Sequence, residues 1–365
     1  MHWFLVFVSA AVLSAQPRAR DLGVPFDGRP GALDAITDVA GVEVGHETLI
    51  RGEGKSAVRT GVTAVLPRGR NFADAVFGGW FSLNGNGEMT GTAWLEESGF
   101  LEGPVMITNT HSVGVVRDAV IQWGVQQGKA GLQAFWLPMV AETFDGYLND
   151  INGFHVKPEH AFAAIDNARG GKVTEGSVGG GTGMICHEFK GGIGTASRIA
   201  GGYTVGVLVQ CNYGLRGQLR VAGVPVGAEL MEGTFRQQEQ GSIIIVVATD
   251  APLVAHQLKR LARRAAMGLA RNGSTSGNGS GDLFVAFSTA NAGAAAGGGV
   301  RKLDMLANDK MNPLFSATIQ ATEEAIINAM VAADTMTGYD GHRVVRLPHD
   351  GLRTALEKYG RLAER

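Results

Sequence analysis

The residues with the clearest chemical potential form the stretch RNGSTSGNGSGD (271–282), which contains no large apolar side chain. Its Asn-Gly pair tolerates positive φ, so the Gly273–Ser274 peptide can be held in a strained geometry. If the Ser274 hydroxyl attacks the Gly273 carbonyl, an ester forms, water releases it, and Ser274 becomes a new N-terminus. Its α-amine would titrate at about pH 7.7–8.0, so the nucleophile would carry its own base. An ordinary Asn-Gly turn in a polar loop has the same pattern.

Other catalytic chemistries find little support. The nine histidines are scattered, with no H-E-x-x-H, C-x-x-C or paired acidic loop, so no catalytic metal is expected. The glycine clusters lack G-x-G-x-x-G spacing and a Walker lysine, which disfavours nucleotide binding. No G-x-S-x-G elbow is present. His111 follows a strand-like segment, but a hydrogen-bonded structural histidine is favoured there. We predict no cofactor.

The composition is that of a globular chain with a small partner. Of 365 residues, 45% are hydrophobic and 18% charged, enough to bury a large core. The 54 glycines have no fixed period and predict tight turns and close backbone contacts. A net charge of −2 gives no electrostatic case for nucleic acid or an anionic membrane.

The first residues predict export. An apolar run from Trp3 to Leu13 is followed by small and polar residues, which resembles a signal peptide over 1–15. The mature protein (16–365) would then be periplasmic or secreted. No Lys or Arg precedes the apolar run, so an N-terminal anchor or a mis-assigned start stays open as an alternative. No other segment approaches the roughly 18 apolar residues of a membrane span. The two cysteines, Cys186 and Cys211, are interpreted as buried thiols, and a disulfide formed after export stays open.

The element pattern predicts one layered α/β domain. Short β-rich apolar runs bounded by turn residues indicate buried strands. Apolar stripes at helical spacing indicate helices, the first with a basic face interpreted as solvated. The strands are at 61–69, 103–110, 203–212, 241–250 and 282–291, and the two clearest helices at 254–271 and 315–334. Strands buried on both faces with helices outside favour a layered sandwich.

Over nearly its whole mature length the chain resembles the L-aminopeptidase D-esterase/amidase and β-aminopeptidase family. Several long blocks in one order are more specific than any isolated motif. They are RDLGVPFDGRPGALDAITDVAGVEVGH (20–46), LNGNGEMTGT (83–92), ITNTHSVG (107–114), ETFDGYLNDINGFHV (142–156), KGGIGTASR (190–198), NYGLRGQLRVAGVPVG (212–227), ARNGSTSGNGSGDLFVAFSTAN (270–291) and ATEEAIINAM (321–330).

The resemblance implies a four-layer αββα sandwich like that of N-terminal nucleophile hydrolases, made as an inactive precursor. Self-cleavage between Gly273 and Ser274 would give an α chain (16–273) and a β chain (274–365), which stay together in a homo-oligomer. Ser274 would then remove the N-terminal residue of a short peptide, amide or ester through an acyl-enzyme. The alternative is an uncleaved, non-catalytic binding protein of the same fold.

The resemblance also implies roles for other residues. Asn212 matches the oxyanion donor, and Glu142 the carboxylate near the substrate amine. Phe144 departs from the family, because members can carry a tyrosine at this place in ETxDG whose hydroxyl helps bind the oxyanion. Phenylalanine cannot donate, so the oxyanion would depend on Asn212 and backbone N–H groups.

A hydroxyl and a carboxylate that orient the nucleophile match Thr322 and Glu324. Thr322 lies on the predicted apolar stripe, whereas Glu324 lies about 200° from it on an ideal helix. Either the helix begins later or Glu323 takes this role. Ordinary first-turn acids of a helix would give the same pattern.

Overall fold

The computed structural model describes residues 16–70, 74–128 and 135–363, and the predicted signal peptide lies outside these ranges. The strands are β1 (Glu43–Arg51), β2 (Val58–Arg70), β3 (Val76–Gly85), β4 (Phe100–Leu101), β5 (Val105–Asn109), β6 (Met139–Thr143), β7 (Ile185–Cys186), β8 (Phe189–Lys190), β9 (Gly192–Ala200), β10 (Tyr203–Asn212), β11 (Ser242–Thr249), β12 (Gly281–Ser288), β13 (Met336–Thr337) and β14 (Arg343–Val344). The helices are α1 (Thr92–Ser98), α2 (Val113–Gln126), α3 (Pro158–Asp166), α4 (Val226–Glu229), α5 (Ala255–Arg271), α6 (Asn312–Val331) and α7 (His349–Lys358).

Two sheets form the centre of the molecule. One has the order β1-β2-β5-β6 and the other β4-β3-β12-β11-β10-β9. Most neighbours are antiparallel, but β5 pairs with β6 and β11 with β12 in parallel. Parallel neighbours need a crossover, and α2 and α5 supply it. The β11-α5-β12 unit brings the end of α5, and therefore Asn272-Gly273-Ser274, back to the edge where β12 begins.

The layers explain why the sequences of the strands are continuous apolar runs. Along β11, Ile243, Ile245 and Val247 face the core beneath α5 and α6. The alternating residues Ile244 and Val246 face the core between the two sheets. A third core lies between the four-stranded sheet and the helices α2 and α3. The predicted αββα sandwich is therefore confirmed.

The helix α6 differs from its prediction. It begins at residue 312 rather than 315, and it is buried on nearly all sides. Gly194 allows this close approach, because a Cβ there would lie 1.9 Å from the carbonyl oxygen of Ala325. A helix that is covered all round needs no single apolar stripe. The inference that Glu324 lies away from the buried face is wrong, and so is the later helix start.

The basic face of α5 is only partly solvated. The guanidinium groups of Arg260 and Arg264 lie 5.3 and 4.0 Å from the ring centre of Phe315, and Lys259 forms an ion pair with Glu96 at 2.5 Å. The long side chains cover apolar surface while their charges stay near water.

Cys186 and Cys211 form a disulfide, so the interpretation as buried thiols is wrong. The reason is topological: the hairpin β7-β8 folds onto the end of β10, which brings the two Cα atoms to 5.7 Å. No helix within the described ranges is long and apolar enough to cross a membrane. In the same part of the chain, no cluster of histidine, cysteine and acidic side chains could hold a metal ion.

Candidate active site

The Gly273–Ser274 junction has the unusual backbone that its sequence predicts. Gly273 has a φ of 86°, a backbone conformation that residues other than glycine rarely adopt. A Cβ at this position would also lie 1.8 Å from the carbonyl oxygen of Gln218. Both the conformation and the close backbone contact therefore require glycine immediately before Ser274.

The Ser274 hydroxyl contacts a carboxylate that the sequence did not single out. Its Oγ donates to Glu239 Oε1 at 2.7 Å and accepts from the Ser276 N–H at 3.0 Å. Thr275 and Gln218 also donate to Glu239. A serine hydroxyl bonded to a carboxylate is a geometry in which its proton can be removed.

Glu142 lies at a cavity of about 640 Å³. Its side chain is 3% exposed. Its carboxylate accepts hydrogen bonds from the Glu88 N–H at 3.0 Å and from the Thr110 hydroxyl. Burial raises the pKa of Glu142, although these hydrogen bonds oppose the rise. A buried carboxylate that faces a cavity is suited to a cationic group of a ligand.

Phe144 separates this cavity from a second one of about 500 Å³. Phe144 is 52% exposed and lines both cavities. In the second cavity the ring of Tyr147 stacks on Phe235 at 4.9 Å and on His342 at 4.3 Å between ring centres. The two cavities therefore combine a carboxylate on one side with an aromatic wall on the other.

Asn212 lines the second cavity at the end of β10. Its Oδ1 accepts the Ile185 N–H at 2.8 Å, and its Nδ2 donates to the Phe144 carbonyl oxygen at 2.9 Å. These two bonds fix the orientation of the amide. Because a primary amide has two N–H donors, the second remains for a group in the cavity.

Ser274 itself does not line either cavity in the uncleaved chain. Its hydrogen-bond partner Glu239 is followed directly by Gln240 and Gly241, which line both cavities. The structure therefore brings Glu142, Phe144 and Asn212 to two adjoining cavities, while Ser274 is connected to them through the segment that holds Glu239.

Comparisons with known proteins identify the family. Residues 34–344 match the sequence model of peptidase family S58. The beta-peptidyl aminopeptidase BapA of Sphingosinicella microcystinivorans is 57% identical, over 98% of this chain and 96% of that protein. BapA of Sphingosinicella xenopeptidilytica is 48% identical, over 95% and 93%. The chain belongs to peptidase family S58.

Solved structures agree with the family. The L-aminopeptidase D-Ala-esterase/amidase of Ochrobactrum anthropi superimposes with a TM-score of 0.90 at 48% identity, covering 95% of this chain and all of that one. It is described as a prototype of the serine aminopeptidases and a variant of the Ntn hydrolase fold. A Burkholderia β-aminopeptidase gives 0.89 at 48% identity, over 96% and 100%. This S58 protein is therefore an aminopeptidase with an Ntn-type fold.

In this S58 peptidase, Thr322 and Glu324 are not hydrogen-bonded to Ser274. The Thr322 hydroxyl donates to the Thr318 carbonyl within α6 at 2.7 Å. Glu324 accepts from Arg20 at 2.7 Å and from Arg198 at 2.6 Å. Both are fully buried. Their role in orienting the nucleophile stays a prediction, while the observed contacts of Glu324 fix the N-terminal segment onto α6.

Glu323 lies closer to the cleavage site than its neighbour. Its carboxylate pairs with Arg271 at 2.8 Å, and its carbonyl oxygen accepts from Asn272 Nδ2 at 2.9 Å. Arg271 and Asn272 immediately precede the Gly273–Ser274 bond. The α6 helix of the predicted β chain therefore holds the C-terminus of the predicted α chain.

Replacing Glu324 with alanine is expected to lower the free energy of unfolding by about 3–5 kcal/mol, because it leaves the buried Arg198 without this carboxylate. Chemical denaturation measures this change. Glu323→Ala is the matched control, since its partner Arg271 is 42% exposed and such a pair contributes about 1 kcal/mol or less. Unchanged stability together with a large loss of activity in Glu324→Ala would instead favour the nucleophile-orienting role.

Lys190 is a second residue that sequence analysis did not single out. Its buried Nζ donates to the carbonyl oxygens of Met184 and Gly191 at 2.9 and 2.8 Å. Burial lowers the pKa of Lys190 to about 7. These bonds hold the loop that presents the Ile185 N–H to Asn212. No motif marks Lys190, because its partners are backbone atoms brought together by the fold.

Proposed function

We propose that this S58 peptidase cleaves itself between Gly273 and Ser274 and then removes N-terminal residues from short peptides and amides. The observation that carries the proposal is the buried Glu142 carboxylate at a cavity that is also lined by Gln240 and Gly241, the residues directly after the Glu239 that contacts Ser274. A carboxylate at that place suits the ammonium group that distinguishes an aminopeptidase substrate from an internal peptide bond. Cleavage releases Ser274 from Gly273, so its new N-terminus can turn toward the cavities.

The catalytic cycle needs no cofactor. The Ser274 α-amine takes the Oγ proton while Oγ forms a bond to the substrate carbonyl carbon. The second N–H of Asn212 donates to the oxyanion. The amine then gives the proton to the leaving nitrogen as the C–N bond breaks, which leaves an ester on Ser274. Water, deprotonated by the same amine, attacks the ester and releases the amino acid.

We assign β-amino acids as the preferred N-terminal residues, because the two Sphingosinicella relatives are both named beta-peptidyl aminopeptidases. The Ochrobactrum relative, named for L-amino acid and D-alanine substrates, makes those classes the comparison. Export of the mature protein is supported by the Cys186–Cys211 disulfide, since disulfides persist in oxidising compartments. A homo-oligomer of αβ units completes the proposal.

The test joins intact mass spectrometry to a substrate panel. The purified protein is expected to give two chains, the second beginning at Ser274. On β-alanyl, L-alanyl and D-alanyl p-nitroanilides, kcat/KM is expected to be highest for the β-alanyl compound. A processed enzyme that prefers L-alanyl would overturn the substrate assignment only. An active but uncleaved chain would overturn the mechanism.

Glu142→Gln is expected to lower kcat/KM by about 10- to 100-fold, mostly through KM, because hydrogen bonds to charged groups contribute about 1.5–3 kcal/mol. In the unmodified enzyme, burial raises the pKa of Glu142, so the ionised form is lost at a pH above the ordinary range of a glutamate. The Ser274 amine must be neutral as well, so below the pKa of Glu142 two groups must lose a proton. The slope of log kcat/KM against pH should therefore be larger below that pKa, and Glu142→Gln should remove this increase in slope.

Steady-state kinetics across pH measure both effects. Glu88→Gln is the matched control, since Glu88 lies on the rim of the same cavity and is exposed. A larger loss in Glu88→Gln than in Glu142→Gln would assign the amine to Glu88 instead.

A further inference from the structure

The first cleavage has a requirement that the mature enzyme does not share. In the precursor, the Ser274 nitrogen belongs to the peptide bond with Gly273 and is an amide, which is not basic. The amine that serves as base in the proposed catalytic cycle therefore does not exist until the bond is cut. A different group must remove the proton from Ser274 Oγ in the uncleaved chain.

In the described part of the uncleaved chain, one carboxylate accepts a hydrogen bond from the Ser274 hydroxyl. Among the residues that the structure describes, Ser274 Oγ donates to Glu239 Oε1 at 2.7 Å. The Ser276 N–H donates to the same Oγ at 3.0 Å. Burial raises the pKa of Glu239, but hydrogen bonds from Thr275, Ser274 and Gln218 lower it by more. The net result is a pKa below the usual value of a glutamate. The carboxylate is therefore ionised at neutral pH and can accept a proton.

Gln218 couples this carboxylate to the bond that is cut. Its Nε2 donates to Glu239 Oε2 at 3.1 Å. Its carbonyl oxygen packs against Gly273, where a Cβ would lie only 1.8 Å away. One residue thus contacts both the acceptor of the proton and the glycine whose carbonyl carbon would be attacked. Such fixed placement of reacting groups lowers the entropic part of a barrier.

We propose that Glu239 is the general base of the self-cleavage step, an inference that rests on the proposed function. As Ser274 Oγ forms a bond to the Gly273 carbonyl carbon, its proton moves to Glu239. Glu239 then gives that proton to the Ser274 nitrogen as the C–N bond breaks, which leaves an ester between Gly273 and Oγ. Water hydrolyses the ester to the Gly273 carboxylate and restores the hydroxyl. After cleavage the new amine takes over as base.

Glu239→Gln separates a base from a hydrogen-bond acceptor, because the amide oxygen still accepts from Ser274 but cannot take its proton. Full-length precursor made by cell-free translation is followed by intact mass spectrometry. Glu239→Gln is expected to slow processing by about 10²- to 10⁴-fold, the usual contribution of a general base. Glu239→Asp should process faster than Glu239→Gln. Sodium formate should accelerate Glu239→Ala, whose site is partly open to solvent, but not Glu239→Gln.

Glu232→Gln, an exposed residue earlier in the same loop, is the control and should process at the rate of the unmodified protein. Thermal unfolding of each precursor checks that it is folded. Wild-type processing by Glu239→Gln would overturn the inference. So would slow processing of Glu239→Ala that formate does not restore, because this indicates a structural role. If the unmodified protein and Glu232→Gln both stay uncleaved, the proposed function itself fails, an outcome distinct from a defect confined to the Glu239 variants.

Discussion

Ser274→Ala is expected to leave the Gly273–Ser274 bond intact and to lower kcat/KM on the order of 10⁶-fold, the effect of removing a serine nucleophile. Two losses combine in this variant. Alanine has no oxygen to attack the Gly273 carbonyl, and without cleavage the α-amine that serves as base is not formed. Intact mass spectrometry reports the first loss, and hydrolysis of β-alanyl p-nitroanilide reports the second.

The matched control is Ser276→Ala. It removes a hydroxyl from the same loop but keeps the backbone N–H that donates to Ser274 Oγ. This variant should still give two chains. If Ser274→Ala also splits at residue 273, Ser274 is not the group that attacks. If the unmodified protein remains one inactive chain, the alternative of an uncleaved binding protein is favoured.

Asn212→Ala is expected to lower kcat by about 10²- to 10³-fold with a smaller change in KM, the effect of removing one oxyanion donor. The reason is that the side-chain N–H is useful mainly when negative charge develops on the substrate oxygen. The same change also leaves the Ile185 N–H and the Phe144 carbonyl without their partner. This should cost about 1–3 kcal/mol of stability.

Two further variants separate these effects on kcat and on stability. Gln210→Ala removes another buried amide, two residues earlier on β10, which donates to Thr108 and Thr143. It should lose stability but retain kcat. Phe144→Tyr supplies a hydroxyl at the cavity wall and should restore part of the lost kcat in the Asn212→Ala background. Equal kcat losses in Asn212→Ala and Gln210→Ala would contradict the oxyanion role.

Both of these predictions depend on the proposed self-cleavage between Gly273 and Ser274. In the uncleaved chain, Ser274 lines neither cavity and contacts Glu239, whose neighbours Gln240 and Gly241 line both. The contact between Ser274 and Glu239 therefore suits self-cleavage but not attack on a substrate bound at Glu142. In the proposed scheme, the two reactions of Ser274 therefore take place in different surroundings, and breaking the bond to Gly273 separates them.

The sequence by itself determined the layers and singled out the Gly273–Ser274 bond as the proposed cleavage site. Strands such as β11 are buried on both faces, so their apolar runs are visible in the sequence without knowledge of their partners. The Asn-Gly-Ser motif is equally local, because the proposed nucleophile, the carbonyl that it would attack and the glycine with positive φ are neighbours along the chain. Glu142 and Asn212 were found through the family resemblance, and the structure places both at the cavities.

Only the tertiary structure decided which groups surround that bond. Glu239 meets Ser274 across 35 residues of sequence, in a polar segment with no periodicity or motif to mark it. Glu324 faces Arg20 and Arg198 because α6 is buried on nearly all sides, which the pattern of a single apolar stripe could not indicate. The disulfide likewise depends on a hairpin folding onto β10. In each case the packing of loops and layers brings together residues that are far apart in the sequence. Local residue types do not indicate which of these distant residues will meet.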